Sequence, residues 1–123
     1  EGHRWIVCGG RDFTDRAFVR RKLDEIAAER GKPTFVISGG ATGADALAEE
    51  WRLDCLLPGV VLEADWPAHG RAAGHKRNSL MLTSLRLFKA ARKLVIAFPG
   101  GDGTADMIEQ AESAGVEVLK VKP

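Results

Sequence analysis

Three features of the 123-residue sequence predict an α/β fold. Short apolar runs alternate with longer stretches of helical periodicity, glycine marks nearly every junction from run to helix, and the runs are rich in Val, Ile and Leu. Continuous apolar runs suit strands covered on both faces, and strands that alternate with helices read as βαβ units. With right-handed crossovers, the economical arrangement is a Rossmann-like three-layer α/β/α sandwich around a five-stranded, mainly parallel sheet.

In chain order, strands are expected at residues 4–8, 34–37, 60–64, 93–98 and 116–121. The first helix carries Val19, Leu23, Ile26 and Ala27 at helical spacing, and the second carries Ala44, Leu47, Ala48, Trp51 and Cys55. A third helix fits residues 75–90, with Met81, Leu85 and Phe88 on one side, and a fourth fits 104–114, with Met107, Ile108 and Ala111. Residues 65–74, polar and punctuated by Gly and Pro, read as a long loop, a place where function often resides. A single domain over residues 4–123 accounts for the length, with residues 1–3 as a cloning scar or a disordered terminus.

Composition narrows the functional classes. With 45% hydrophobic and 28% charged residues, the chain is not intrinsically disordered. A net charge of +1 argues against a surface devoted to coating a polyanion. Cys8 and Cys55 form neither a disulfide framework nor a metal-ligand spacing, and read as buried thiols in a reducing compartment. No apolar run reaches the roughly 18 residues of a membrane span and no leader pattern is present, so a cytoplasmic protein with no membrane partner is expected.

In an open parallel sheet the ligand crevice lies beyond the carboxyl ends of the strands, where helices present unpaired N–H groups. Three expected strand ends carry a Gly-Gly pair there. The first supplies Gly9, Gly10 and Arg11, the second Ser38, Gly39, Gly40, Thr42 and Gly43, and the fourth Pro99, Gly100, Gly101, Gly103 and Thr104. Glycine lets phosphate approach backbone amides, and the helix that follows adds the positive end of its dipole. Glycines in such turns also form without any ligand, but three loops on one edge point to a phosphate-bearing one. None has the Gly-Lys-Ser/Thr of a P-loop or the full dinucleotide fingerprint, which disfavours ATP hydrolysis and ordinary hydride transfer. No metal and no further cofactor is expected. Thr104 doubles as a candidate helix N-cap.

A basic cluster, Arg71, His75, Lys76 and Arg77, runs from the long loop into the third helix and ends on Asn78. Cations at a helix start oppose the dipole unless an anion lies between them, so Arg77, with its guanidinium fork, and Asn78 are candidate ligand contacts. Asp45, Asp65, Asp102 and Asp106 lie at the same edge; Asp45 and Asp106 also suit a helix first turn with no further role. Trp66 offers a stacking surface, whereas Trp5 and Trp51 read as core. His69 and His75 pair with no nucleophile, so a triad is not supported. If the chain is an enzyme, Arg77 is the candidate anchor for substrate phosphate, and Asp106 or Asp45 the candidate carboxylate to stabilise developing positive charge.

Four ordered motifs, VCGGRDFTD, ISGGATGADALAEEW, ADWPAHGRAAGHKRNSLML and VIAFPGGDGTADMIEQA, resemble the SLOG superfamily, specifically its YspA-like branch of domains of unknown function. The superfamily includes the LONELY GUY phosphoribohydrolases and the Rossmann domain of DNA-processing protein A, which binds single-stranded DNA. The resemblance implies a Rossmann-like domain whose glycine-rich loops hold a nucleotide or nucleotide-derived ligand, of the NAD/ADP-ribose or nucleoside monophosphate class, as sensor or as an enzyme that processes an N-glycosidic bond. It also implies that Pro99, Gly100, Gly101, Gly103 and Thr104 match the PGGxGT phosphate loop and Arg77 the active-site arginine of a phosphoribohydrolase-type nucleotide hydrolase. The catalytic glutamate of PGGxGTxxE falls on Met107. The alternative is a non-catalytic domain that binds single-stranded nucleic acid through Arg71, Lys76, Arg77 and Trp66, and the related hydrolases make a homodimer an open expectation.

Overall fold

The computed structural model describes residues 2–89 and 91–123. Five strands, β1 (His3–Cys8), β2 (Phe35–Ser38), β3 (Gly59–Val61), β4 (Arg92–Ala97) and β5 (Glu117–Lys120), form one sheet in the order β3-β2-β1-β4-β5. Every pairing is parallel, as the apolar runs predict. The helices among the described residues are α1 (Arg16–Arg30), α2 (Ala44–Asp54), α3 (Trp66–His69), α4 (Ala73–Arg86) and α5 (Asp102–Ser113).

Strand alternation sorts the core into two layers. Trp5, Val7, Val36, Leu94 and Ile96 meet Phe18, Val19 and Leu23 of α1 and Ala44, Ala48 and Trp51 of α2. Ile6, Cys8, Ile37, Val95 and Ala97 meet Met81, Leu82 and Leu85 of α4 and Met107 and Ala111 of α5. In the first layer the rings of Trp5 and Trp51 stack 5.7 Å apart at an interplanar angle of 9°, so both tryptophans belong to the core. Cys8 is buried and Cys55 only half-buried, and both are free thiols.

The caps follow side-chain chemistry. Asp15 Oδ1 accepts from the N–H of Phe18 at 3.1 Å and starts α1, which stops at Gly31, where φ is +94° and a side chain would be strained. Three expectations need correction. The 65–74 segment is not a loop: Asp65 Oδ1 accepts from the N–H of Ala68 at 3.1 Å, Pro67 sits in the first turn where its missing N–H costs nothing, and a 3₁₀ turn over Gly70–Ala72 leads into α4. The third predicted helix therefore begins at Ala73 and ends at Arg86; its expected last residue, Ala90, lies outside the described residues, as does Glu1. His3, expected at a disordered end, opens β1 with 4% of its surface exposed, because its Nε2 accepts from Trp5 Nε1 at 3.1 Å and its backbone pairs with β4.

Burial, with the charge of Arg92 beside it, pushes the His3 imidazole below its ordinary range. A depressed histidine stabilises the fold above the unfolded value near pH 6.5 and loses that contribution as pH falls through the folded value. Between pH 7 and pH 5 the thermal unfolding midpoint is expected to drop further for the wild type than for His3→Gln, whose amide oxygen can still accept from Trp5; equal slopes would show that His3 titrates normally.

Candidate nucleotide site

Strand order places the site. The chain leaves β1 toward β2 on one side and reaches β4 on the other, so the loops after β1 and β4 diverge and leave a crevice at the switch point. A cavity of about 650 Å³ opens there, within the range of small-molecule sites.

The three glycine loops converge as their spacing predicts, but their glycines do two different jobs. Gly10 N–H donates to the carbonyl of Pro99 at 2.9 Å, and Ala44 N–H donates to the carbonyl of Gly10 at 3.1 Å. A Cβ on Gly9 would lie 2.5 Å from Ala44 Cβ and 2.9 Å from Phe98 Cβ, and one on Gly43, at φ +70°, would strike the carbonyls of Gly10 and Arg11. These glycines let three backbones meet. Gly101 and Gly103 differ, since a Cβ on either would meet nothing within 4 Å. Their bare faces line the cavity.

Helix α5 starts at this wall with Gly101 as N-cap and no side-chain cap, which leaves its first amides without a side-chain partner where its first residues line the cavity. Thr104, expected as an alternative N-cap, stands two residues inside the helix instead, buried against the cavity. The opposite wall carries Asp45, 5% exposed, in the first turn of α2. Its Oδ2 accepts from the N–H of Ala41 at 3.3 Å, while its Oδ1 is buried with no hydrogen-bond partner among the described residues. Burial raises the Asp45 carboxyl above the usual carboxylate range, against the opposing pull of the Ala41 N–H and the Arg77 charge. Between them lies Cys8, whose thiol burial pushes up to about 12, so it is an inert floor rather than a nucleophile.

Arg77 is pinned across this floor. One terminal nitrogen donates to the carbonyl of Gly39 and Nε donates to Asn78 Oδ1 at 3.0 Å. Asn78 in turn donates to the carbonyl of Gly103 at 3.1 Å and to Asp106 Oδ2 at 2.9 Å. Asp106 Oδ1 faces His75 Nδ1 at 2.8 Å, and Gln110 Nε2 donates to Asp106 Oδ2 at 2.8 Å. Burial pushes the Asp106 carboxyl upward, but the bonds from His75, Asn78 and Gln110 outweigh it and hold the group below the usual range. Two side chains of the basic start of α4 thus find partners within the fold: His75 meets the Asp106 carboxylate, and Arg77 meets the Gly39 carbonyl within the field of Asp45.

Of the candidates, Gly9, Gly10, Arg11, Asp45, Trp66 and Arg77 line the cavity, together with Asn78, Pro99, Gly100, Gly101, Gly103 and Thr104. The others stand behind the wall. Gly39 passes beneath Arg77; Gly40, at φ +73°, packs on Val61 and Glu63; Thr42 Oγ1 donates to the carbonyl of Arg11 at 3.4 Å; Gly43 supports the Gly10 loop. Ser38 is buried at the end of β2, Asp65 is spent capping α3, and Asp106 is turned into the α4–α5 network, where it positions Asn78. Arg71 and Lys76 are exposed away from the wall. Cys8, Asp12, Phe13, Ala41 and Gly74 also line the cavity and were missed, and Asp102, one of the four carboxylates expected at this edge, lines it too. Asp12 lies two residues past the first glycine pair, a signal available in the sequence, whereas Phe13 reaches the wall through its packing on Phe18 and Phe98 at 5.8 and 6.0 Å. At the rim, the Arg11 guanidinium sits 5.5 Å from the centre of the half-exposed Trp66 ring, within cation–π range.

Comparison with known proteins bears on this geometry. The sequence model described as YAcAr, the YspA, cpYpsA-related SLOG family, matches residues 4–69, which include the first two glycine loops and Trp66. The chain belongs to this SLOG family. Gene 61 protein of Mycobacterium phage D29 is 31% identical over 126 residues, covering 94% of this chain and 94% of its own length. The X-ray structure of TM1055, a structural-genomics target, superposes with a TM-score of 0.65 at 19% identity, over 94% of this chain and 72% of that one. That likeness shows the Rossmann-like fold, and the SLOG family together with this fold suggests a nucleotide-related function. No helix among the described residues is long and apolar enough to cross a membrane.

One pair of glycine substitutions and one substitution of Asp45 test this geometry. Gly9→Ala, which forces atoms into the loop junction, is expected to cost about 1–3 kcal/mol in urea denaturation, whereas Gly103→Ala is expected to be neutral or to stabilise by up to about 1 kcal/mol. Equal losses would mean that all these glycines serve packing alone. For Asp45, the raised carboxyl means that its contribution to stability is greatest below the ordinary aspartate value near pH 4 and declines as pH rises through the folded value. The unfolding midpoint of Asp45→Asn relative to wild type is therefore expected to rise between pH 4 and pH 7; a constant difference would refute a raised Asp45.

Proposed function

We propose that this SLOG domain binds a nucleotide or nucleotide-derived small molecule, with its phosphate at the start of α5. The observation that carries this reading is the uncapped α5 N-terminus beside Gly101 and Gly103, two glycines that no internal contact requires and whose bare faces border the cavity. An anion there would gain the free amides, the helix dipole and the Thr104 hydroxyl, with Arg77 held ready by Gly39 and Asn78. Trp66, backed by Arg11, offers a base-stacking face at the rim.

The role is first that of a binding domain. Met107, where the hydrolase pattern carries its glutamate, is fully buried in the layer under α5 and can neither move a proton nor meet a developing cation. Asp106 faces away, so any cleavage of an N-glycosidic bond would rest on Asp45, the one buried carboxylate on the wall among the described residues. NAD, ADP-ribose and nucleoside monophosphates are the ligand classes to test. Of the residues behind the reading that favours single-stranded nucleic acid, Arg77 and Trp66 line the cavity, whereas Arg71 and Lys76 lie off its wall.

A thermal-shift panel of AMP, other nucleoside monophosphates, NAD, ADP-ribose and a short single-stranded oligonucleotide tests this. Ligand at about a hundred times its Kd contributes roughly 2.7 kcal/mol, a rise on the order of 10 °C for a domain of this size. The shift is expected with one nucleotide class and is expected to vanish in Gly101→Leu, with the unfolding midpoint of the free variant kept. A shift with the oligonucleotide alone would favour the nucleic-acid reading, and undiminished binding by a folded Gly101→Leu would show that the phosphate lies elsewhere.

A further inference from the structure

Among the described residues, α4 and α5 cover one face of the sheet side by side. Their register is fixed by His75 Nδ1 against Asp106 Oδ1 at 2.8 Å and, one turn on, by Ser79 Oγ donating to Gln110 Oε1 at 2.8 Å. The charges of the two helices are segregated. α4 carries His75, Lys76, Arg77 and Arg86 and no carboxylate, whereas α5 carries Asp102, Asp106, Glu109 and Glu112 and no cation. The fold itself uses some of these: Arg77 and Asp106 belong to the network beside the cavity, and Glu112 pairs with Lys120 at 3.3 Å. Lys76, Arg86, Asp102 and Glu109 are exposed and form no ion pair among the described residues.

Two large apolar side chains stand among these charges. Leu80 and Leu87, on the outer side of α4, are 62% and 67% exposed. With Lys76 and Thr83 they follow the alternating four- and three-residue spacing of a seam that packs on another helix. Beside them a groove of about 480 Å³ runs between α4 and α5, bounded by Leu82, Thr83 and Arg86 on one side and Glu109, Gln110 and Ala114 on the other.

The charge pattern restricts what can cover this face. A polyanion or an anionic bilayer that approached α4 would also meet the carboxylates of α5. A second copy with α4 laid antiparallel on α4 would set cations on cations and carboxylates on carboxylates. A second copy related by a twofold axis parallel to the helices instead sets α4 across α5 in both directions, which is the self-complementarity that a twofold interface requires. Since that axis preserves the level of each residue along the helices, it brings Lys76 of each copy to Glu109 of the other and Leu80 over the groove.

We propose that the α4–α5 face binds a second copy of this chain in a symmetric four-helix interface, with Leu80 in the seam and Lys76 paired to Glu109 across it. The charges then set the partner and its orientation while the leucines supply the apolar contact.

Analytical ultracentrifugation over about a hundredfold range of concentration tests this. A dimer is expected, weakened by added salt because its ion pairs lie near solvent. Leu80→Asp is expected to yield a monomer with unchanged circular dichroism, since Leu80 supports nothing inside its own chain. Lys76→Glu and Glu109→Lys are each expected to weaken dimerisation about tenfold, and the two together to restore it to within about threefold of the wild type. A wild type that stays monomeric throughout overturns the proposal, as does a monomer that binds vesicles of anionic phospholipid instead. A dimer unmoved by folded Leu80→Asp, or charge reversals that do not rescue each other, also overturns it by placing the contact on another face. The wild-type mass and the paired reversals decide the question even where Leu80→Asp does not fold.

Discussion

The approach of three backbones around Gly10 is the constraint on which the site depends. Its N–H reaches the Pro99 carbonyl and its own carbonyl receives the Ala44 N–H, so the loops after β1, β2 and β4 are tied into one platform. Side chains at Gly9 or Gly43 would force those backbones apart. With the platform closed, the first turn of α5 and the first turn of α2 face one cavity from two sides.

A second device stiffens the wall. A single polar chain, Arg77 to Asn78 to Asp106 to His75 and Gln110, crosses from the floor of the cavity to the outer surface of α4 and α5. Arginine carries much rotamer freedom, and two fixed nitrogens remove most of it before any ligand arrives. Asp106 therefore serves by holding Asn78, a role that its place in PGGDGTAD does not disclose.

The acidic chemistry is also redistributed. Where the hydrolase pattern has a glutamate one turn into α5, this chain buries Met107 beneath the helix, and the carboxylate that does reach the cavity comes from α2. Burial raises this carboxyl above the usual carboxylate range, the kind of environment in which a carboxyl is tuned away from its behaviour in water.

The layer order, the parallel pairing and the Gly-rich crevice were all legible in the sequence, because strands covered on both faces must be apolar throughout and close backbone approaches must be glycine. The SLOG motifs were legible for the same reason. Short-range capping was harder to read: ADWPAHG looks like a loop until Asp65 caps it, and His3 looks like a loose end until Trp5 and β4 claim it. Tertiary structure alone decided which polar groups face the cavity. Asp45 and Asp106 both read as first-turn helix carboxylates in the sequence, but Asp45, second in α2, lies buried on the cavity wall, while Asp106, fifth in α5 and past its first turn, is consumed by α4. That difference arises from which helix packs beside each carboxylate, a long-range contact that local sequence pattern does not encode.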